Sequence, residues 1–154
     1  METQFAQGPR WPTLNDRALQ TAYAITESGC RSWCLLTSWR HNLALDANRK
    51  QHAMLDEGLR RDGQILALTA HYRDGATTRQ EPWIFACDVK RPFAVWLLRR
   101  LHQPLLFWGD HMVHVLTASD PPRPLGEFRP GAIAHAIGES SSDAATFLGF
   151  DLPR

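Results

Sequence analysis

The sequence predicts one α+β domain in which two helices cover one face of a mainly antiparallel sheet, with an extra strand at the C-terminus. Its length of 154 residues and hydrophobic content of 44% suit one core and are small for two. Two stretches with apolar residues at helical spacing alternate with short apolar runs of strand length. Read in order, these segments give β-α-β-β-α-β-β.

Residues 33–39 form the first predicted strand, because this short run is apolar and rich in residues that favour strands. A helix follows, which Asp46 is suited to cap and the Asp62-Gly63 pair is suited to end. The residues predicted to form its apolar stripe are Ala47, Met54, Leu55 and Leu59.

The middle of the sequence predicts a hairpin and a second helix. Residues 64–72 and 81–89 have the composition of strands, and the polar segment RDGATTRQ between them predicts a long loop. Pro92 suits the first turn of the helix that follows. The residues predicted to form the buried face of this helix are Phe93, Ala94, Leu97, Leu98 and Leu101.

Two further strands are predicted at residues 105–108 and 111–116, because the Gly109-Asp110 pair between them suits a tight turn. The Pro-rich run DPPRPLGEFRPG that follows predicts a passage over the surface. Residues 144–152 are predicted to add a last edge strand or to fold back on the core.

This order of elements, with both helices on one face of the sheet, is the ferredoxin-like plan that PII-like proteins also use. The predicted domain spans residues 31–154. Residues 1–30, with an amphipathic stretch from 15 to 27, form an N-terminal extension. Because one fold supports many functions, the function has to be inferred from particular residues.

The charge balance disfavours polyanionic partners. Seventeen Lys and Arg residues against sixteen Asp and Glu residues leave a formal charge of +1, without the strong field of a nucleic-acid or membrane-surface binder. The apolar runs are far shorter than a bilayer span, and the N-terminus lacks the apolar stretch of a signal peptide. The expected location is therefore the cytoplasm.

The cysteines and histidines do not predict a metal site. The three cysteines are an odd number, and the spacing of Cys30 and Cys34 matches neither a zinc site nor a redox pair, so buried or idle thiols are expected. His111 and His114 are the best metal candidates among the histidines. They fall on a predicted strand, where residues three apart point to opposite faces.

Polar residues gather between the first strand and the first helix. The segment 38–43 places a hydroxyl (Ser38), a guanidinium (Arg40) and an amide (Asn42) where backbone N–H groups become available to a ligand. The alternative is local structure, in which Ser38 and Asn42 bond neighbouring backbone and Arg40 is solvated. Residue types alone favour that alternative.

Tyr72 and Glu81 form a second candidate pair. They lie at the end of one predicted strand and the start of its hairpin partner, so antiparallel pairing brings them to the same end of the sheet. A phenol and a carboxylate that share a cavity suit a cationic substrate. The alternative is an exposed glutamate and a partly exposed tyrosine at strand ends, which are common.

A resemblance to a known family joins these segments. The stretch LLTSWRHNL, a helix with Arg49, His52 and Met54, then LRRDG, TAHYR and LGEFRP resemble in order the corresponding segments of phage-encoded S-adenosylmethionine (SAM) lyases, formerly called SAM hydrolases. The resemblance covers roughly residues 34–130 at low identity.

The resemblance implies a PII-like homotrimer with active sites between subunits, which cleaves SAM to methylthioadenosine and homoserine lactone. It implies that Glu81 is the key catalytic carboxylate and Tyr72 its catalytic neighbour. The residues that it places along the substrate are Thr37, Ser38, Trp39, Arg40 and Asn42. The family's role is depletion of host SAM, which counters restriction, and no cofactor or metal is expected.

Substrate positioning suffices for this reaction, because the SAM carboxylate can attack its own Cγ and displace the sulfonium. Glu81 is expected to pair with the α-ammonium group. If water attacks instead, Glu81 acts as a general base and homoserine forms first. Candidate aromatic partners for the adenine are Trp39, Phe107 and Trp108.

Two non-enzymatic alternatives remain. The first is a PII-like regulatory protein that binds an adenine nucleotide without turnover. The second is an inhibitor that acts by contact alone, for which the expected acidic, DNA-mimicking surface is missing at a net charge of +1.

Overall fold

The computed structural model describes residues 13–14, 16–74, 77–128, 146–147 and 150–151. These residues form an antiparallel sheet of seven strands and three helices, which confirms the predicted α+β class. The strands of the sheet are β1 (Thr13–Leu14), β2 (Trp33–Leu36), β3 (Ile65–Asp74), β4 (Thr77–Cys87), β5 (Leu106–Gly109), β6 (Met112–Leu116) and β7 (Arg123–Glu127). The helices are α1 (Asp16–Glu27), α2 (Leu45–Asp62) and α3 (Arg91–Arg100).

The strand order is β1-β3-β4-β2-β5-β6-β7, and all neighbouring strands are antiparallel. Helix α2 connects β2 to β3, and β4 lies between these two strands in the sheet. Helix α3 connects β4 to β5, and β2 lies between these two strands. The segment from β2 to β5 therefore consists of two interleaved β-α-β units. This arrangement is consistent with the ferredoxin-like class.

Both faces of the sheet are covered. Alternate residues of β2 point to opposite faces, so Trp33 and Leu35 join one core while Cys34 and Leu36 join the other. Helices α2 and α3 cover the Cys34 face with Leu55, Leu59, Ala94, Leu97 and Leu98. Helix α1 packs on the Trp33 face through Ala22, which is 1% exposed, with Ala18, Tyr23 and Ile25 beside it. We call these the α2/α3-side core and the α1-side core.

The prediction of a long loop between β3 and β4 is wrong. The two strands remain paired up to Asp74 and Thr77, so only residues 75 and 76, which lie outside the described residues, separate them. The β-branched residues Thr77 and Thr78 favour the longer ladder.

The start and the buried stripe of α2 also differ from the prediction. The N-cap is Ala44, which makes no side-chain capping bond, and Asp46 lies in the first turn. The buried stripe consists of Asn48, Leu55 and Leu59, whereas Met54 is 64% exposed. The helix is rotated so that a polar residue, Asn48, faces inward, because it bonds the backbone beside β2, as described below.

Helix α3 has the predicted proline in its first turn and buries Ala94, Leu97 and Leu98. Phe93 was predicted to be buried and is exposed. Its ring stacks on that of Trp96, which is also exposed, at a centroid distance of 5.6 Å. The apolar stripe is thus narrower than predicted, and the two rings contact each other on the outer face of the helix.

The Pro-rich run after β6 contains a strand that was not predicted. Strand β7 pairs with β6 at one edge of the sheet, with a register shift between Val113 and His114. Pro124 is compatible with this position because an edge strand can leave one side of its backbone unpaired. Within residues 144–152, the short strands β8 (Thr146–Phe147) and β9 (Phe150–Asp151) pair with each other. In the described part of the chain, no helix has the length and apolar character to cross a membrane.

Candidate functional site

The candidate site begins where β2 leaves the sheet. Leu36, the last residue of β2, pairs with Ile84 of β4. Beyond it, the hydroxyl of Thr37 donates a hydrogen bond to the carbonyl oxygen of Pro82 at 2.7 Å and accepts one from the Trp39 backbone N–H at 3.0 Å. Because Pro82 has no N–H group to continue the ladder, a side chain replaces the backbone contact here. The predicted strand of residues 33–39 therefore ends earlier, at Leu36.

Side chains from α2 and from the segment after α3 bind the backbone that follows Thr37. The Asn48 side chain accepts a hydrogen bond from the Arg40 N–H at 2.9 Å and donates one to the Arg40 carbonyl at 2.8 Å. Gln103, beyond α3, donates a hydrogen bond to the Trp39 carbonyl at 3.0 Å. These contacts fix the turn formed by residues 37–40 between the sheet and the α2/α3 layer, and such fixed backbone groups can bind a ligand without reordering.

Ser38 carries a buried hydroxyl within this turn. The residue is fully buried, and its Oγ atom has no hydrogen-bond partner among the described residues. A buried hydroxyl without a partner costs about 1–3 kcal/mol. Such an atom marks a position where a polar ligand atom can supply the missing bond.

Glu81 is buried on β4, although the sequence places it at the start of a predicted strand. It is 4% exposed, stands opposite Ala70 of β3, and its Oε1 accepts a hydrogen bond from the indole N–H of Trp83 at 3.0 Å. Trp83 is 2% exposed, and its ring lies 6.2 Å from that of Phe107, between centroids. A buried carboxylate attracts a cation more strongly than a carboxylate in water does.

Tyr72 is near Glu81 in the backbone pairing. It stands opposite Arg79 on the hairpin of β3 and β4, two residues beyond the partner of Glu81. The expected placement of Tyr72 and Glu81 at the same end of the sheet therefore holds for the backbone. The side chain of Tyr72 lies outside the described part of the structure.

The turn lies next to the backbone of Glu81 at this end of the sheet, whereas the Glu81 side chain shares the α1-side face with Trp83. Extending the register of β2 and β4 by two steps sets Ser38 opposite Pro82, the residue next to Glu81. The bond from Thr37 to Pro82 fixes the same proximity. Among the other predicted substrate-binding residues, Trp39 and Arg40 are half-buried in the turn, whereas Asn42 is exposed further along, towards α2.

The aromatic candidates for an adenine partner differ in accessibility. Phe107 is fully buried in the α1-side core, so its proposed contact with adenine is wrong for this structure. Trp108 is half-buried, and its indole N–H donates a hydrogen bond to the Val89 carbonyl at 2.7 Å. Trp39, half-buried beside Ser38, remains a candidate by position.

The histidines predicted as the best metal candidates are separated by their surroundings. His111 is exposed next to Asp110, at 3.5 Å, while His114 on β6 packs its ring against Trp108. Within the described ranges, no three His, Cys, Asp or Glu residues are grouped so as to hold a metal ion.

Three residues of this site were not singled out from the sequence, namely Asn48, Trp83 and Gln103. Asn48 had a usable signal, because it shares the helical spacing of Leu55 and Leu59 and so interrupts an apolar stripe with an amide. The bond from Trp83 to Glu81 depends on strand alternation, and the bond from Gln103 to the Trp39 carbonyl depends on tertiary structure.

Comparison with known proteins finds neither a family model that matches the chain nor a curated protein with significant sequence similarity to it. The functional inference therefore depends on the geometry of this site and on the motif resemblance.

Proposed function

We propose that this protein is a SAM lyase, which cleaves S-adenosylmethionine to methylthioadenosine and homoserine lactone. The observation that carries the proposal is the buried carboxylate of Glu81, 4% exposed and bonded to Trp83, on the strand whose Pro82 carbonyl accepts the bond from Thr37. SAM carries an ammonium and a sulfonium, and a carboxylate in an apolar environment suits a ligand with two positive charges.

Glu81 would act by orienting the substrate. When its carboxylate pairs with the α-ammonium, the substrate's own carboxylate is left free to attack. An oxygen of that carboxylate forms a bond to Cγ, the Cγ–S bond breaks with its electron pair passing to sulfur, and neutral methylthioadenosine leaves. Holding these three atoms in line can contribute up to roughly 7–11 kcal/mol of the barrier reduction.

The turn of residues 37–40 would hold the rest of the substrate. Its backbone is fixed by Asn48 and Gln103, and Ser38 offers a buried hydroxyl to a polar substrate atom. Tyr72 is proposed to fix the methionyl arm by a hydrogen bond, and its backbone position two residues beyond the partner of Glu81 supports this role.

The burial of Glu81 has a consequence for binding. A substrate ammonium reaches the carboxylate only after part of its present cover moves, so binding requires a conformational step. The fluorescence of Trp83 should report that step, because the Trp83 indole is bonded to the carboxylate of Glu81. Stopped-flow fluorescence should show a SAM-dependent phase that is lost in Trp83→Phe.

The strand order is consistent with the ferredoxin-like class, and the motif resemblance extends the proposal to a PII-like homotrimer with sites between subunits. Light scattering that finds an active monomer would contradict the intersubunit site. In a phage-infected cell, the activity would deplete host SAM and thereby counter restriction.

The test is release of methylthioadenosine from SAM, measured by chromatography. Glu81→Gln should lose roughly 30- to 5,000-fold in rate, because removing one partner of a desolvated charge pair costs about 2–5 kcal/mol. Glu57→Gln is the matched control, since Glu57 is 69% exposed and pairs with Arg61 on the surface of α2. Circular dichroism verifies that both variants are folded.

Two results would contradict the proposal. One is wild-type protein that releases no methylthioadenosine; binding of adenine nucleotides without turnover would then favour the regulatory alternative. The other is an equal rate in folded Glu81→Gln, which would remove the carboxylate from the mechanism.

A further inference from the structure

Two of the three cysteines meet at the end of β4 opposite to Glu81. Cys30 follows α1, and Cys87 is the last residue of β4. The thiol of Cys30 donates a hydrogen bond to the Ser32 carbonyl at 3.0 Å, and the backbone N–H of Asp88 donates to the same oxygen at 2.7 Å. Since both donors converge on one oxygen, the Cys30 sulfur lies next to the backbone that follows Cys87.

The two thiols are neighbours in the α1-side core. Cys30 is half-buried and packs against the α1-side core, of which Cys87, 5% exposed, is a member. Burial, and then the neighbouring thiol of Cys30, raise the pKa of the Cys87 thiol well above its usual range. Cys30 is thus the more accessible thiol, and Cys87 lies directly behind it.

Cys34 has a different environment. It is fully buried in the α2/α3-side core, on the other face of the sheet from Cys87. Burial raises the pKa of its thiol as well. The chain therefore contains an internal control, a cysteine that does not contact the pair.

We propose that Cys30 and Cys87 form a redox-active dithiol, which small disulfides of the glutathione type oxidise to an intramolecular disulfide. The spacing of 57 positions along the chain hides this pair from motif searches. Its products would be a protein cross-link and two molecules of the reduced small thiol.

The exchange takes place in two steps. Cys30 loses its proton to water, its thiolate attacks one sulfur of the small disulfide, and the other sulfur leaves as a thiolate that takes up a proton. Cys87 then loses its proton and attacks the sulfur of Cys30 in the mixed disulfide. The second small thiolate leaves and takes up a proton, so two protein thiols are oxidised and one small disulfide is reduced to two thiols.

The cross-link joins the residue that follows α1 to the central sheet. It would hold α1 on the α1-side core. The stability of α1 packing on this face would then depend on the redox state of the surroundings. The site is separate from the proposed lyase site, because Cys87 and Glu81 are six positions apart on β4, about 20 Å. The proposal therefore does not depend on SAM cleavage.

The test uses the full-length chain with oxidised glutathione as the probe. After acid quenching, alkylation in denaturant and mass spectrometry, the expected product has lost two hydrogens and retains one alkylatable thiol out of three. Peptide mapping should join the Cys30 and Cys87 peptides. Cys34→Ser should form the same cross-link and retain no alkylatable thiol.

Single variants separate the two steps. Cys87→Ser should stop at the mixed disulfide, seen as a persistent glutathione adduct on Cys30, while Cys30→Ser should lose the cross-link. The proposal is overturned if wild-type protein accumulates the same persistent adduct without a cross-link. It is also overturned if both thiols stay reduced, or if Cys34 enters cross-links as readily as Cys30 does.

Discussion

Gly109 occupies a position where a larger residue does not fit. A Cβ atom there would lie 2.4 Å from Cζ2 of Trp33, well inside van der Waals contact. Trp33 is fully buried, with its ring 5.3 Å from Phe85 and 5.1 Å from Phe128 between centroids, so it has little room to shift. This single glycine therefore sets how closely β5 approaches the centre of the α1-side core.

We predict that Gly109→Ala lowers the free energy of unfolding by about 1–3 kcal/mol, the usual cost of overpacking. Urea denaturation measures this change. Gly58→Ala is the matched control, because nothing lies within 4 Å of the added Cβ and the residue is inside α2. Gly58→Ala should raise the free energy of unfolding by about 0.5–1 kcal/mol, because alanine has a higher helix propensity than glycine. Equal effects at the two positions would contradict the packing of Trp33 against Gly109.

His52 predicts how stability depends on pH. Burial lowers the pKa of His52 below its ordinary value of 6.5, and the nearby Asp56 opposes part of this shift. The unfolded chain then binds a proton at a higher pH than the folded chain does, so stability is present above pH 6.5 and falls as pH drops below it. Urea titrations at about pH 7.5 and about pH 5.5 measure the difference.

We expect His52→Gln to reduce this loss on the acid side. Asp56→Asn should make it steeper, because the carboxylate that raises the pKa of His52 is removed. Parallel pH profiles for the wild-type protein and both variants would show that His52 does not carry the effect.

The sequence predicts the candidate residues but not their environment. Glu81, Tyr72 and residues 37–40 were selected from motif order; strand pairing brings Tyr72 near Glu81 in the backbone, and the bond from Thr37 to Pro82 brings the turn next to the Glu81 backbone. The burial of Glu81 was not predictable, because a glutamate at a predicted strand start is usually exposed. In the structure β4 begins earlier, so Glu81 is an interior strand residue.

Among the helices, α2 begins at an N-terminus that no side chain of its N-cap residue caps. Its N-cap residue, Ala44, has φ −61° and ψ 152°, which suits a capping residue, and makes no side-chain bond to the first turn. The first N–H groups of a helix favour an acceptor and a negative charge.

We predict that Ala44→Asp raises the free energy of unfolding by about 0.5–2 kcal/mol. Ala53→Asp is the matched control at an exposed position inside the same helix, where aspartate should instead lower it by about 0.5 kcal/mol. Thermal denaturation of both variants measures the contrast. Stabilisation by Ala53→Asp, or none by Ala44→Asp, would place the helix start elsewhere.

The elements between residues 33 and 116 were largely predictable, since hydrophobic periodicity identifies α2, α3 and strands β2 to β6. Their exact bounds depend on contacts between segments. Strand β7 was missed because its Pro-rich sequence has no strand pattern, and it forms by pairing with β6 at the edge of the sheet.

At the scale of the whole molecule, α1 makes the described structure three-layered. The sequence indicated an amphipathic stretch at residues 15–27, but nothing in it indicated which surface it covers. In the structure, α1 packs on the face of the sheet opposite to α2 and α3. The α1-side core thus depends on a segment that the sequence predicts as an extension.

We predict that Ala22→Glu lowers the free energy of unfolding by about 3–5 kcal/mol, because an unpaired charge would be buried against the sheet. Ala24→Glu, at an exposed position on the same helix, should change it little. Urea denaturation compares the two. If both variants are as stable as the wild-type protein, α1 does not contribute to the folded core.

NMR of a fresh mixture of the protein and SAM, followed over time, tests directly whether the protein cleaves SAM by attack of the substrate carboxylate. We predict that methylthioadenosine and homoserine lactone appear together, and that homoserine appears only later as the lactone hydrolyses. Intact SAM after long incubation would contradict the proposed activity. Homoserine before any lactone would contradict attack by the substrate carboxylate, and would make Glu81 a base that activates water.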